Sequence, residues 1–331
     1  MAFANELTRQ LGIRYPILLA PMDIVSGSRL TAAVSKAGGF GMLGGGYGER
    51  EWLVRELAAL RQYLEPQPAP FGVGFITWSL AKQPGLLEVA LQAGPRAVML
   101  SFGDPRPFAA AIKGSSALLI CQVQTESMAE TALSAGADVL VAQGTEAGGH
   151  GASRSTIEIV PSIVDLAAGR VPVVAAGGIA DGRGFLAARM LGAAGVLLGT
   201  RFYASTEADG ADEAKRRICA ANSGDTTRSI IFDISRNNVW PAPFTGRCLI
   251  NDHVRRWRGR ELELLQNVET IAAEYNAAKA FGNFDMAAVI AGEAVGLIHD
   301  IPPAATIIER IVSQAEEILG NRHNSVAMKS S

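Results

Sequence analysis

The most constraining feature of the sequence is the regular alternation of short apolar runs with segments of helical periodicity. The apolar runs occupy residues 16–20, 40–43, 71–76, 97–100, 117–123, 138–142, 171–176 and 195–199. The segments between them carry apolar residues at helical spacing, and several end in glycine, as helices commonly do. Runs that are short and apolar throughout are typical of parallel strands buried on both faces.

Eight such strands, each followed by a helix, predict a (β/α)₈ TIM barrel of the α/β class. An open doubly wound sheet is the alternative, but the turn after the first strand, APMDIVSGS, lacks the G-x-G-x-x-G signature of that fold. The alternation stops near residue 205. We therefore predict a barrel over residues 1–205 and a C-terminal helical cap over residues 206–331 that is not an independent domain.

The composition of the chain limits the kinds of molecule that it is expected to bind. The 331 residues carry a formal net charge of -2, which gives no electrostatic reason to expect binding to nucleic acid or to an anionic membrane. No apolar run is long enough to span a bilayer, and the N-terminus lacks the layout of a signal peptide. Three widely spaced cysteines predict reduced thiols and a cytoplasmic location rather than a metal site.

Two glycine-bearing turns follow the last two predicted strands. Loops at these two positions of a barrel commonly bind phosphate through backbone N–H groups. We therefore predict a phosphate site at Gly177–Gly178 and Gly199–Thr200, with tight turns as the structural alternative. Since neither turn contains lysine, backbone dipoles would hold the phosphate, with Arg183 or Arg201 nearby. That arrangement suits a bound cofactor better than a transferred phosphoryl group.

A single histidine, His150, lies between Gly149 and Gly151 in the loop after the sixth predicted strand. A solvated loop histidine is the default interpretation. The two predicted phosphate turns on the next strands favour a functional histidine at the barrel mouth instead. We find no carboxylate cluster or histidine pair with the spacing of metal ligands.

Two amide side chains, Gln122 and Gln143, lie at the ends of the fifth and sixth predicted strands. Buried amides often only satisfy neighbouring backbone groups, but a planar heterocycle with several donors and acceptors would also use them. Trp78, Arg236 and Trp240 either line such a pocket or pack the cap, and the sequence leaves this open; the same holds for Asn237.

Several motifs together resemble those of the nitronate monooxygenase (2-nitropropane dioxygenase) family. They are PILLAPM, AVSKAGGFGMLGGG, AQGTEAGGHG, AAGGIADGRG and LLGTRF, in this order between about residues 11 and 205. AGEAVGLIHDIPPA resembles the C-terminal segment of the family. The combination of EAGGHG with AAGGIADG is specific, whereas isolated GG or APM pieces would carry little weight.

The resemblance implies a barrel that binds FMN non-covalently and without a metal. It places the FMN phosphate at the two predicted turns, and it makes His150 the catalytic histidine. The remaining cofactor contacts that it implies are Ala20, Pro21 and Met22 against the isoalloxazine ring, Gln122 at a position where relatives have a lysine or another polar residue, Gly149, and Gly74 where relatives often have asparagine.

The family reaction oxidises an alkyl nitronate with O₂ to a carbonyl compound and nitrite. His150 would hold the anionic substrate, or, as a neutral imidazole, accept the α-proton of a nitroalkane. FMN-dependent enoyl-acyl-carrier-protein reductases and NADH:quinone reductases share these motifs and form the alternative. A non-catalytic flavin-binding protein is a further possibility. Inosine-monophosphate dehydrogenase also has a related barrel, but it needs a cysteine where this chain has TEAGGHG.

Overall fold

The computed structural model describes residues 3–238 and 240–327, and it confirms the (β/α)₈ barrel. The described strands are β1 (Ile17–Leu19), β2 (Gly41–Gly44), β3 (Phe71–Ile76), β4 (Ala97–Ser101), β5 (Leu118–Val123), β6 (Val139–Gln143), β7 (Gly149–Gly151), β8 (Val173–Ala176), β9 (Gly195–Leu198), β10 (Thr226–Ser229) and β11 (Thr245–Leu249). Eight of them form a parallel sheet in the order β1-β9-β8-β6-β5-β4-β3-β2. Hydrogen bonds between Phe40 and β1 close this sheet into a barrel.

Both faces of the barrel strands are buried, which explains why the runs are apolar throughout. Leu18 points into the barrel interior, where it packs with Met42 and Val141. Its neighbours Ile17 and Leu19 belong to the layer between the strands and the surrounding helices. Successive residues of a strand point to opposite faces, so a strand covered on both sides needs apolar residues at every position.

Helices surround the barrel and also build the cap. They are α1 (Glu6–Leu11), α2 (Ser28–Lys36), α3 (Arg50–Leu64), α4 (Thr77–Leu80), α5 (Leu86–Gln92), α6 (Arg106–Gly114), α7 (Glu126–Ser134), α8 (Thr156–Ala167), α9 (Gly182–Met190), α10 (Thr200–Tyr203), α11 (Asp212–Ala220), α12 (Ile231–Ser235), α13 (Asp252–Trp257), α14 (Glu261–Gln266), α15 (Val268–Ala280) and α16 (Ala304–Ala327). Side-chain caps fix several starts: Thr125 accepts from the Met128 N–H at α7, and Asp181 caps α9.

The last helix, α16, packs against α2 and α9 and so completes the ring of helices around the barrel. Its buried face carries Ala304, Ile307, Ile308 and Ile311 at helical spacing, and these side chains share the core of the barrel strands. The segment predicted as a cap over residues 206–331 therefore contributes its final helix to the barrel wall. Residues 328–331 of that segment lie outside the described residues.

The cap contains a three-stranded antiparallel sheet in the order β10-β11-β7. Its third strand, β7, comes from the barrel loop after β6 and places His150 opposite Gly246. The prediction of a loop around His150 was therefore wrong in its local structure. The sequence Gly-His-Gly has no strand propensity, and only pairing with β11, about a hundred residues later, makes it extended.

Candidate active site

A cavity of about 420 Å³ opens at the carboxyl ends of the barrel strands, beneath the cap. All of the residues that the sequence selected lie in its wall: Ala20, Pro21, Met22, Gly74, Gln122, Gln143, Gly149, His150, Gly177, Gly178, Gly199 and Thr200. These residues come from seven strands or the turns that follow them, namely β7 and six strands of the barrel, so the barrel topology is what brings most of them together. Loops at this face of a barrel are where its binding sites are found.

One end of the cavity is built from the turns after β8 and β9. Gly177 and Gly178 have φ angles of 111° and 71°, a region that glycine adopts without strain. A Cβ atom at Gly177 would lie only 2.7 Å from the Thr156 Oγ1 atom. The backbone N–H groups of Gly178 and Ile179 donate to no other described residue, and both residues line the cavity. Unpaired backbone donors in a glycine turn are suited to an anion.

Thr200 also lies at this end, and its hydroxyl accepts a hydrogen bond of 2.9 Å from the Gly292 N–H of the cap. The two arginines expected near the turns are elsewhere. Arg183 pairs with Asp181 at 2.6 Å, and the buried Arg201 pairs with Asp300 at 3.0 Å. Neither arginine lines the cavity. The expectation of a nearby arginine was wrong because nearby carboxylates already hold both side chains.

Apolar residues line the cavity where β1 ends. The carbonyl of Ala20 accepts from the Met22 N–H at 2.9 Å and from the Ser26 hydroxyl at 2.8 Å, which fixes this turn. Gly74 lies so close to Pro21 that a Cβ atom there would be 2.3 Å from the proline Cγ atom. The absence of a side chain at residue 74 therefore allows Pro21 to pack tightly against β3.

The glutamines form a chain of hydrogen bonds that ends at the histidine. Gln122 and Gln124 donate to the Gln143 Oε1 atom at 2.9 and 2.7 Å. Gln143 in turn donates to the backbone carbonyl of His150 at 3.1 Å. Gln143 therefore satisfies a backbone group, as the first interpretation predicts, and it lines the cavity together with Gln122, where contact with a heterocycle stays a prediction.

Two residues of the cap hold His150 in position, and the sequence analysis did not assign either of them to the site. Its Nε2 atom lies 3.0 Å from both carboxylate oxygens of Asp233. Its ring stacks on the indole of Trp240, with ring centroids 3.4 Å apart and planes 4° from parallel. The imidazole side chain is only 7% exposed. The arrangement is a buried aromatic stack with a carboxylate at one ring nitrogen.

The protonation of His150 follows from these neighbours. Burial lowers the pKa of His150, and the hydrogen bond and negative charge of Asp233 oppose that shift. The positive charges of Arg236 and Arg228 lower the pKa further. Near neutral pH an imidazole with a lowered pKa is neutral, so that one of its two ring nitrogens carries the proton and the other is an acceptor.

Other cap residues surround this pair. Arg236 donates to the Asp233 Oδ1 atom at 2.6 Å, and both Arg236 and Trp240 line the cavity. Trp78 packs with its edge on Trp240, at 5.4 Å between ring centroids, and is not part of the cavity wall. Asn237 also lies outside that wall. Of the four residues left open by the sequence, two therefore face the cavity.

A half-buried arginine joins the cap to the loop that carries His150. The Arg228 guanidinium donates to the carbonyls of Thr145, Ala147 and Gly151 at 2.9, 3.1 and 3.2 Å. It also donates to the carbonyls of Gly149 and of Thr245 in β11. Burial, with the charge of nearby Arg247, lowers the pKa of Arg228 to about 10. The sequence analysis predicted a helical cap in this part of the chain, whereas Arg228 lies in strand β10.

A carboxyl group with a raised pKa lies at the end of β1. Asp23 lines the cavity, and burial raises its pKa to about 6, with the charge of Glu49 adding to that effect. Lys279 of α15 and Arg236 lower the pKa.

Among the described residues, no group of three or more histidine, cysteine or acidic side chains is placed to hold a metal ion. In the same part of the chain, no helix is long and apolar enough to cross a membrane.

The sequence model of the nitronate monooxygenase family matches residues 4–84 and 76–314. Nitronate monooxygenase npaC of Metarhizium robertsii is 37% identical over 336 residues, which cover 92% of this chain and 91% of that protein. The nitronate monooxygenase of Neurospora crassa is 33% identical, with 91% and 89% of the two chains covered.

Among solved structures, FabK from Thermotoga maritima superposes with a TM-score of 0.85 at 30% identity, covering 97% of this chain and 99% of FabK. These likenesses extend over the barrel and the cap alike. The chain therefore belongs to the nitronate monooxygenase family and is a flavin-dependent oxidoreductase of that type.

Proposed function

We propose that this protein binds FMN non-covalently and oxidises alkyl nitronates with O₂ to a carbonyl compound and nitrite. The observation that carries the proposal is one cavity that joins unpaired backbone donors, an apolar stretch of wall and the buried His150. Bound FMN would supply the redox chemistry by accepting electrons from the substrate and passing them to O₂. The protein would supply binding, orientation and proton transfer.

The phosphate of FMN would lie against the turns Gly177–Gly178 and Gly199–Thr200. The free N–H groups of Gly178 and Ile179 support this, since an anion at that end would satisfy them. The isoalloxazine ring would rest on Ala20, Pro21 and Met22, beside Gly74. Gln122, Gln143 and Gly149 would contact its polar edge.

The substrate would occupy the space between the flavin and the cap, with His150 beside its reacting carbon. A nitronate is an anion, and Arg236 and Lys279 both line the cavity and favour negative charge there. A neutral nitroalkane would have to lose its α-proton first, and the neutral imidazole of His150 is the acceptor within this wall.

Two measurements test this function. Purified protein should be yellow and should release FMN when denatured, and a colourless protein without affinity for FMN would exclude the flavin site. The second measurement is nitrite formation from ethylnitronate in air. Nitrite and aldehyde in equal amounts are the expected products.

An FMN-dependent, NADH-linked reductase is the second candidate, supported by the likeness of the whole fold to FabK. One experiment distinguishes the two functions. The enzyme is mixed anaerobically with NADH or with a nitronate, and the flavin absorbance is followed. Rapid loss of absorbance with NADH, together with no nitrite from nitronates in air, would favour the reductase.

A further inference from the structure

The side of the imidazole that meets the carboxylate differs from the side that meets the cavity. His150 lines the large cavity, whereas Asp233 is not part of its wall and lies behind the histidine. The ring edge with Nε2 is therefore turned toward Asp233, at 3.0 Å from each oxygen. Trp240 covers one face of the ring, so that the plane of the imidazole is fixed as well.

We propose that Asp233 is a positioning residue that keeps the proton of neutral His150 on Nε2 and thereby makes Nδ1 the base for neutral nitroalkanes. This inference rests on the proposed function and deepens it, because it names the residue that prepares His150 to accept the proton of a nitroalkane. A buried carboxylate hydrogen-bonded to one imidazole nitrogen selects the tautomer and stabilises the imidazolium that forms.

The proton transfer balances without a further reagent. The α-C–H bond of the nitroalkane breaks, and its electron pair stays on the carbon and delocalises into the nitro group, which gives the nitronate. The proton binds to Nδ1, so that His150 becomes positively charged between Asp233 and the new anion. An added nitronate has already lost this proton and does not need the base.

Several charged groups face His150. Asp233 of α12 favours the charged ring, while Arg236, which follows α12, and Arg228 of β10 disfavour it. Arg236 is itself paired with Asp233, so removal of the carboxylate charge would leave two arginines near the ring without compensation. Loss of Asp233 should therefore lower the pKa of His150 further and weaken it as a base.

The test compares two substrates in one enzyme. In Asp233→Asn we expect kcat/KM for neutral nitroethane to fall about 10–100-fold relative to kcat/KM for preformed ethylnitronate. The lower limb of the pH profile for nitroethane should move to lower pH. Asp252→Asn is the matched control, since Asp252 is an exposed cap residue that pairs with Arg255. It should leave the ratio of the two substrates unchanged.

A second measurement needs no turnover and no variant at Asp233. The chain has four histidines, so ¹⁵N-histidine labelling gives a small set of ring signals, and comparison with His150→Ala assigns one set to His150. At pH 8 we expect the signals of a neutral ring protonated at Nε2. A ring protonated at Nδ1 would overturn the proposal, even where Asp233→Asn does not fold.

The outcomes separate this inference from the proposed function. An equal loss of activity toward both substrates would mean that Asp233 only supports the structure, and unchanged activity would mean that it has no part. If the wild-type enzyme forms no nitrite from either substrate, the proposed function fails. The tautomer found by NMR then decides whether Asp233 positions His150.

Discussion

The barrel and the cap contribute different kinds of group to the same cavity. The barrel presents mainly backbone and small or apolar residues, such as Gly177, Gly178 and Pro21. The cap presents large functional side chains, above all Arg236 and Trp240, with Asp233 behind the cavity wall. Under the proposed function, the barrel would bind the cofactor and the cap would orient the reacting histidine, and the two regions meet at His150.

This division makes a prediction for each region. Changes in the barrel turns should alter the affinity for FMN, whereas changes around His150 should alter turnover. The variants below break or sharpen that contrast, beginning with the largest expected effect.

His150→Ala removes the residue at the border between the two regions. We expect it to retain FMN and to lose kcat/KM for nitroethane by about 10²–10⁴-fold, the range for loss of a positioned acid or base, with a smaller loss for ethylnitronate. FMN content and kcat/KM for nitroethane and ethylnitronate are the measurements. The exposed His299 provides the control, His299→Ala, which should match the wild type. An unchanged kcat/KM in His150→Ala would remove the histidine from the mechanism.

Arg228→Met tests how far the cap supports the barrel loop. The guanidinium donates hydrogen bonds to backbone carbonyls on both sides of His150. Its loss therefore leaves several carbonyl acceptors without donors. We expect the free energy of unfolding to fall by about 3–5 kcal/mol. Urea unfolding of the FMN-free protein, followed by circular dichroism, measures this. Arg255→Met removes an exposed arginine paired with Asp252 and should change the stability by less than about 0.5 kcal/mol.

Gly178→Ala addresses the barrel turn. Its φ of 71° costs a residue with a side chain about 1–2 kcal/mol, and its new Cβ atom would lie 3.3 Å from the Glu146 Cβ atom. We expect the Kd for FMN to rise about 10-fold, with little change in kcat at saturating FMN. Gly169→Ala is a matched control, since Gly169 has a φ of 73° and open space around it, away from the cavity. It should lose stability and keep its affinity for FMN.

Asp23→Asn gives the smallest effect. Because the pKa of Asp23 is raised to about 6, the folded protein binds more protons than the unfolded chain between about pH 4 and 6. The stability of the wild-type, FMN-free protein should therefore fall as the pH rises through this window. We expect the variant to be more stable at pH 8 by about 1–2 kcal/mol, since solvent screens this partly exposed group. The difference should vanish at pH 4, and a variant less stable at pH 8 would contradict the assignment.

The sequence allowed the barrel to be predicted because its signals are local. The bounds of the eight strands differ from the predicted runs by at most about two residues, since each apolar run specifies its own strand. The two glycine turns and the loop of His150 followed from the same pattern, because the carboxyl ends of parallel strands meet at one face, whereas Ala20, Pro21, Gly74 and Gly149 followed from the family resemblance. Topology therefore located Gly177 and His150 without any knowledge of side-chain contacts.

The cap residues could not be located in this way. Asp233 is separated from His150 by 83 residues, and no periodic pattern links the two. One signal was present in the sequence, since Asp233 interrupts the apolar stretch of residues 230–234, and a carboxylate among buried residues needs a partner. Arg228 and Trp240 lie in polar or turn-rich segments, where the sequence gives no indication of the fold.

The position of α16 gives the cap two fixed ends. The chain leaves the barrel after β9 and returns to it at α16, so the intervening segment is an insertion with both ends attached to the same rigid wall. Such an insertion could change in length between relatives without altering the order of the barrel strands, provided that it keeps the strand that pairs with β7. Evolution could thus alter substrate choice in this protein by replacing one continuous segment, while the inherited cofactor platform stayed as it was.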